Sequence, residues 1–216
     1  MREKFDEQLE RLNSMMKAMG RDCDMAITYA REALIEGNLE KAKMVADVED
    51  DINHMERDIE SLCMKLILRQ QPIARDLRQI SAALKMITDM ERIGDQAADI
   101  ADIIPHLKGR SADECRYITE MSTATQKMVI DAVDAFIDGD VNKAEAVIAY
   151  DDIVDNYFVD VKKSLSAAIS DGSEDGVIAI DFLMIAKYFE RIGDHATNIA
   201  EWVVYAVTGV HKGVAE

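Results

Sequence analysis

The sequence predicts an all-α protein built as two tandem, pseudo-symmetric, antiparallel three-helix bundles, six long helices in total. Three observations predict it. Apolar residues recur at spacings of three and four over stretches of roughly thirty residues, the period of a helix with one buried face. Only 2 prolines and 10 glycines interrupt 216 residues, too few for many loops. The chain also repeats itself: Glu-Arg-Ile-Gly-Asp stands at 91–95 and again at 190–194.

The first helix carries one stripe: Leu9, Leu12, Met16, Met19, Cys23, Ala26, Ala30 and Ala33. It is expected to stop at Gly37-Asn38, where glycine suits the residue after the helix and asparagine suits the N-cap of the next. The second stripe runs Ala42, Val45, Glu49, Ile52, Glu56, Ile59, Cys63, Leu66. Pro72 ends that helix and can open the third, which runs through Ile80, Leu84 and Ile87 into the first Glu-Arg-Ile-Gly-Asp and stops near Pro105. Ser111-Ala-Asp-Glu114 has the form of a capping box for the fourth helix. From there the pattern repeats. The segment Ala135 to Asp140 lines up with Ala33 to Asn38 at an offset of 102, and the fifth helix carries Ala144, Val147, Asp151, Val154, Phe158, Val161 and Leu165. Ser173 is expected to cap the sixth helix, which holds the second pentapeptide at an offset of 99. The three-residue difference falls between second and third helices, where length changes cost little. The two copies occupy 1–108 and 109–216, each an up-down-up bundle.

Composition bounds the partners. Against 25 Lys and Arg stand 42 Asp and Glu, a net charge of −17. Phosphate backbones and anionic lipid are bound by cationic side chains, so this balance argues against nucleic acid and against direct membrane insertion. No signal peptide or membrane-spanning run is visible. The three cysteines, Cys23, Cys63 and Cys115, have no metal-site or disulfide spacing and read as buried thiols in a reducing cytoplasm. Methionine is abundant at 13 and aromatics are scarce at 6%, which suits helix-to-helix packing.

At about 100° per residue, Glu91, Asp95, Asp99 and Asp102 fall within roughly 80° of arc on the third helix. The second copy gives Glu190, Asp194, Asn198 and Glu201. Glu49 and Asp151 occupy matching places inside the apolar series of the second and fifth helices, each with a polar residue four positions on, Asn53 and Asp155. An unpaired carboxylate there costs several kcal/mol or is forced to protonate. No basic residue shares the acidic stripe of the third helix, so helix-internal ion pairs are not expected to balance it. Each pentapeptide also places a glycine in mid-helix, which costs about 1 kcal/mol relative to alanine. A close helix approach at Gly94 compensates and brings the acids of neighbouring helices together. Carboxylates facing one another across helices form a cation site. The oxygen-rich donor set favours divalent or trivalent ions such as Mg²⁺, Mn²⁺, iron or zinc, and carboxylate bridging would allow more than one. His195 projects off this stripe and reads as a helix-end or core-edge residue.

A ferritin-like oxidase would also place carboxylates inside a helical bundle, but it needs paired Glu-x-x-His motifs. The nearest form, Asp51-x-x-His54, occurs once. A purely structural bundle explains the stripes and leaves the duplicated pentapeptide unexplained.

The segments 69–78 (RQQPIARDLR), 83–102 (ALKMITDMERIGDQAADIAD) and 188–209 (YFERIGDHATNIAEWVVYAVTG), in this order and across essentially the whole chain, resemble the PhoU family of phosphate-transport-system regulators. The resemblance implies two similar three-helix bundles and a repeated Glu/Asp-x-x-x-Asp metal-binding motif. That motif falls on Glu91/Asp95, Glu190/Asp194, Asp151/Asp155 and, with a departure, Glu49/Asn53. Asn53 brings no negative charge, so the first site is expected to be weaker. It further implies a non-enzymatic, homodimeric adaptor at the inner face of the membrane. Such an adaptor represses the phosphate-starvation response by linking the ATPase subunit of a phosphate ABC transporter to a sensor histidine kinase. An accessory subunit of another phosphate or ion transporter is the alternative.

Overall fold

A computed structural model describes residues 2–70, 72–110 and 116–210. Its six α-helices are α1 (Arg2–Glu36), α2 (Leu39–Gln70), α3 (Ala74–Ile103), α4 (Arg116–Asp138), α5 (Val141–Ser170) and α6 (Gly176–Thr208). A single 3₁₀ turn, Ile104–Leu107, follows α3, and no strand occurs among the described residues. The helix count and the two-bundle plan are those the periodicity predicts. The capping box at 111–114 lies outside the described residues.

The helix ends follow from local chemistry. Gly37 and Gly139 both take φ +63°, a left-handed conformation that costs glycine nothing. After them, the Asn38 side chain accepts from the Glu40 and Lys41 N–H groups, and Asp140 accepts from Lys143 N–H. Pro72 lies just outside α3, whose N-cap is Ile73, so it separates the two helices without opening the second. Ser173 does not cap α6. Its N–H and hydroxyl both donate to Ala168 C=O, closing the end of α5, while Asp175 accepts from Val177 N–H at 2.8 Å and caps α6. Two residues of spacing decide this: Asp175 sits immediately before the first helical residue, and Ser173 is already engaged by the preceding helix.

Helices α1, α3, α4 and α6 form the interior, with α2 outside α1 and α3, and α5 outside α4 and α6. One continuous apolar core runs through all six. The two bundles meet most extensively along α3 and α6, with α1 against α4 beside them. Both pairings are antiparallel. The start of α3 (Arg75, Gln79) lies with the end of α6 (Val203, Val207), and Asp89 meets His195. Across α1 and α4, Gln126 donates to Asp24 Oδ1 at 2.6 Å and to Thr28 Oγ1 at 2.8 Å. Asp24 and Gln126 are one position in the two copies, so the seam is built on the pseudo-symmetry. The helices approach closely at Gly20, where an added Cβ would lie 2.8 Å from Val133 Cγ1.

Candidate functional site

The duplicated pentapeptide places a glycine of α3 and α6 against the neighbouring outer helix. A Cβ at Gly94 would stand 3.0 Å from Ile52 Cδ1 of α2. One at Gly193 would stand 3.3 Å from Val154 Cγ1 and 3.4 Å from Asp151 Oδ1 of α5. The expected close approach is therefore present, and it sets the acids of paired helices facing each other.

On the first bundle, burial raises the Glu91 carboxyl above the usual range. Asp95 adds to this, and Glu56 and Glu49 push in the same direction from α2. Glu56 is itself raised, by burial, then by Glu60 and more weakly by Asp95. Asn53 donates a short hydrogen bond to Glu49 Oε1, so its amide is directed at the carboxylate four residues back. On the second bundle, Asp151 is pushed up to about 6, by burial and then by Asp155 and Asp194, with the Thr197 hydroxyl opposing. Asp194 is raised by burial, then by Glu190, with Asp155 adding and Lys187 and His195 opposing. Both outer-helix positions that the period reserves for apolar residues thus carry half-buried acids that face acids of the third helix of the same unit.

The expectation that no basic side chain balances the acidic stripe is wrong. Arg92 Nη1 lies 2.8 Å from Asp95 Oδ2, and its Nε lies 3.4 Å from Glu91 Oε2. Lys187 grips Glu190 from one turn earlier. A helical projection places each residue at its Cβ, and a long side chain reaches well past that angle. These cations compensate part of the repulsion, and the raised carboxyls mark what remains.

The acids further along α3 and α6 serve a different surface. Asp99 is raised by burial, then by Asp95 and Asp102, and Arg191 of the other bundle opposes. Asn198, its counterpart, donates to Asp89 Oδ1 at 3.1 Å, and His195 Nδ1 lies 2.9 Å from the same oxygen. These residues tie the bundles together. Asp102 is exposed and Glu201 half-buried. Of the twelve positions read from sequence, eight therefore gather as two pairs of facing motifs, Glu49/Asn53 with Glu91/Asp95 and Asp151/Asp155 with Glu190/Asp194. Sequence reasoning left Glu56 out of the site, although it stands two turns after Glu49 in the same stripe.

The donor chemistry of both clusters, carboxylate oxygens throughout with one amide, fits a hard or intermediate cation. Among the described residues, no three His, Cys, Asp or Glu side chains converge as a preformed metal shell. Arg92 and Lys187 hold carboxylates that such a shell would use. Cys23 and Cys63 are free and buried, and burial pushes the Cys63 thiol up to about 12, so neither is a thiolate donor; Cys115 lies outside the described residues.

A tandem pair of three-helix units with matched acidic motifs across α2–α3 and α5–α6 defines a class of duplicated helical-bundle proteins. The model of the PhoU domain matches this chain twice, at residues 16–104 and 118–203. The chain is 35% identical to the "Phosphate-specific transport system accessory protein PhoU homolog" of Clostridium acetobutylicum, over 95% of this chain and 94% of that protein. It superimposes on the crystal structure of PhoU from Pseudomonas aeruginosa with a TM-score of 0.88 at 36% identity, covering 95% of this chain and all of that one. It superimposes on the phosphate transport system regulatory protein PhoU from Streptococcus pneumoniae with a TM-score of 0.89 at 26% identity, covering 97% and 100%. The chain belongs to the PhoU family. These relatives carry the names of accessory and regulatory proteins rather than enzymes.

Proposed function

We propose that this protein is a metal-binding adaptor of phosphate transport. It represses the phosphate-starvation response by contacting the ATPase subunit of a phosphate ABC transporter and a sensor histidine kinase, at the inner face of the membrane and as a homodimer. The observation that carries the reading is similarity over nearly the full length to proteins named as accessory to phosphate-specific transport. Two related bundles in one chain provide two related surfaces, enough for two partners. No helix among the described residues is long and apolar enough to cross a membrane; in this reading attachment at that face runs through the protein partners. Deleting the gene should leave phosphate-responsive genes switched on in phosphate-rich medium, measured by transcript level. Normal repression in the deletion strain overturns the reading. Purified protein should retain the ATPase subunit or the kinase in pull-downs and hydrolyse neither nucleotide nor phosphoester.

In this proposal the two carboxylate clusters take a divalent or trivalent cation after Arg92 and Lys187 withdraw. The ion supplies positive charge where the acids crowd. The second cluster binds more tightly, because Asp155 contributes a charge where the first has Asn53. Elemental analysis of protein purified without chelator or affinity metal should find metal, and Asp194→Ala should lose more of it than Asp95→Ala. Equal losses, or no metal after incubation with several cations, count against the assignment.

A further inference from the structure

The duplication provides an internal comparison of the two ends of the α3–α6 seam. At one end the start of α6 meets the turn that follows α3. Arg110 reaches Glu174 there at 2.7 Å, and Ile178 and Leu107, about one turn further in, are buried. That corner is filled and its charges are paired. At the other end the start of α3 meets the end of α6, and the corresponding positions differ. Arg75 stands in the place of Glu174, Gln79 of Ile178, Ala206 of Leu107 and Gly209 of Arg110. One charge is reversed and three large side chains are exchanged for smaller or polar ones. A cavity of about 170 Å³ remains, lined by Arg75, Gln79, Asp138 and Gly139 together with Phe136 and Val203. This end also lacks countercharge. In a chain with 42 acids, neither Arg75 nor Arg78 has an ion-pair or hydrogen-bond partner among the described residues. Arg78 lies beside the cavity, with its guanidinium carbon 3.6 Å from where a Cβ at Gly209 would stand. Its Nε is buried and has no acceptor, a cost that a bound acceptor removes.

We infer that this cavity is a binding site for a free hydrogen phosphate ion. The planar fork of a guanidinium matches phosphate oxygens, and the Gln79 amide adds donors. Size excludes a nucleotide, since pockets that enclose drug-sized ligands run to about 300–1,000 Å³. Asp138 selects among the small anions. A carboxylate accepts hydrogen bonds and donates none, so Asp138 repels sulfate and other carboxylates, which carry no proton at neutral pH. Hydrogen phosphate keeps a proton there and can donate it to Asp138. The lining comes from α3 of the first bundle and from α4 and α6 of the second, so the occupied site ties the bundles together. The assignment is independent of the adaptor function proposed above.

Isothermal titration of inorganic phosphate into intact protein tests this, at low salt and with chelator present so that no cation in the acid clusters recruits the anion. Phosphate should bind saturably, and sulfate several-fold more weakly. Arg75→Ala should weaken phosphate binding by roughly tenfold or more, the loss expected for a charge-assisted hydrogen bond. Lys85→Ala, the same charge change elsewhere on α3, should leave it unchanged. Asp138→Asn should remove the preference for phosphate over sulfate. Arg75 and Asp138 are both exposed, so both variants should keep the wild-type circular dichroism spectrum. Phosphate should also raise the melting temperature of the wild type and not that of Arg75→Ala. No saturable binding at millimolar phosphate, or binding indifferent to Arg75→Ala, overturns the site. A preference for phosphate that survives in Asp138→Asn overturns the selection by Asp138. Flotation with vesicles containing phosphatidic acid distinguishes a free ion from a lipid headgroup. The protein should stay unbound, and vesicle capture that Arg75→Ala abolishes overturns the free-ion assignment.

Discussion

Gly20→Leu is expected to destabilise the protein by about 3 kcal/mol, lowering the melting temperature by roughly 6–12 °C for a chain of this size. The cause is the contact between α1 and α4. The Cβ alone would meet Val133 Cγ1 at 2.8 Å, with Val133 Cγ2 at 3.2 Å and Cβ at 3.3 Å. Val133 is buried and β-branched, so its rotamer freedom is small and the helices themselves must separate. Two effects oppose each other in the milder Gly20→Ala. Alanine gains about 1 kcal/mol of helix propensity over glycine, and overpacking costs about 1–3 kcal/mol; here the clash wins, with a smaller net loss than for leucine. At Gly94 the nearest atom is the flexible end of Ile52 at 3.0 Å, so Gly94→Ala should be close to neutral. Val133→Ala should cost stability alone yet recover much of the loss in Gly20→Ala, a coupling that a double-mutant cycle in denaturant measures. If Gly20→Leu unfolds at the wild-type temperature, the bundles do not meet this closely along α1 and α4.

Gly20 also illustrates where a sequence stops being legible. Unlike Gly94, it belongs to no repeated motif that marks a close approach, and its neighbour Val133 lies 113 positions away. The pairing of Asp89 with His195 is hidden for the same reason. Periodicity reports which face of a helix is buried and is silent about which other helix covers it. By contrast, Glu49 and Asp151 were legible, because a charged residue in an apolar register contradicts its own stripe, and duplication made the contradiction appear twice. The helix ends at Gly37-Asn38 and Gly139-Asp140 were legible because left-handed backbone and N-caps select few residue types. The ion pairs of Arg92 and Lys187 were not, since reach and rotamer decide them rather than spacing. The cap of α6 was misplaced because serine and aspartate are near-equal N-caps, and the competing demand of the end of α5 for Ser173 belongs to the three-dimensional structure.

The acid cluster on the second bundle should give this protein an unusual pH dependence. In the folded state Asp151 lies at about 6, against an ordinary value of 3.8, chiefly through burial. The folded protein therefore holds this proton more tightly than the unfolded chain does. Stability contributed at this position is greatest below about pH 4, declines as pH rises to about 6, and is flat above that. Glu91, Asp99 and Asp194 are shifted in the same direction, so the decline towards neutral pH is shared. Asp151→Asn should accordingly raise the melting temperature at pH 8 by roughly 2–4 °C, about 1 kcal/mol once solvent screening at this half-buried site is allowed for. At pH 4 it should change little. A bound cation would reverse the sign for the wild type by stabilising the ionised acids, with the gain growing as free cation exceeds its dissociation constant. Millimolar Mn²⁺ or Mg²⁺ at pH 8 should then raise the wild-type melting temperature more than Asp151→Asn, and chelator should remove the difference. Sodium chloride at equal ionic strength should achieve less, because screening acts weakly on half-buried groups. If both salts raise wild type and variant alike, the carboxylates are merely screened and no cation is held between α5 and α6. If Asp151→Asn destabilises the protein at pH 8, the Asp151 carboxylate is compensated in the fold and the declining pH profile does not originate there.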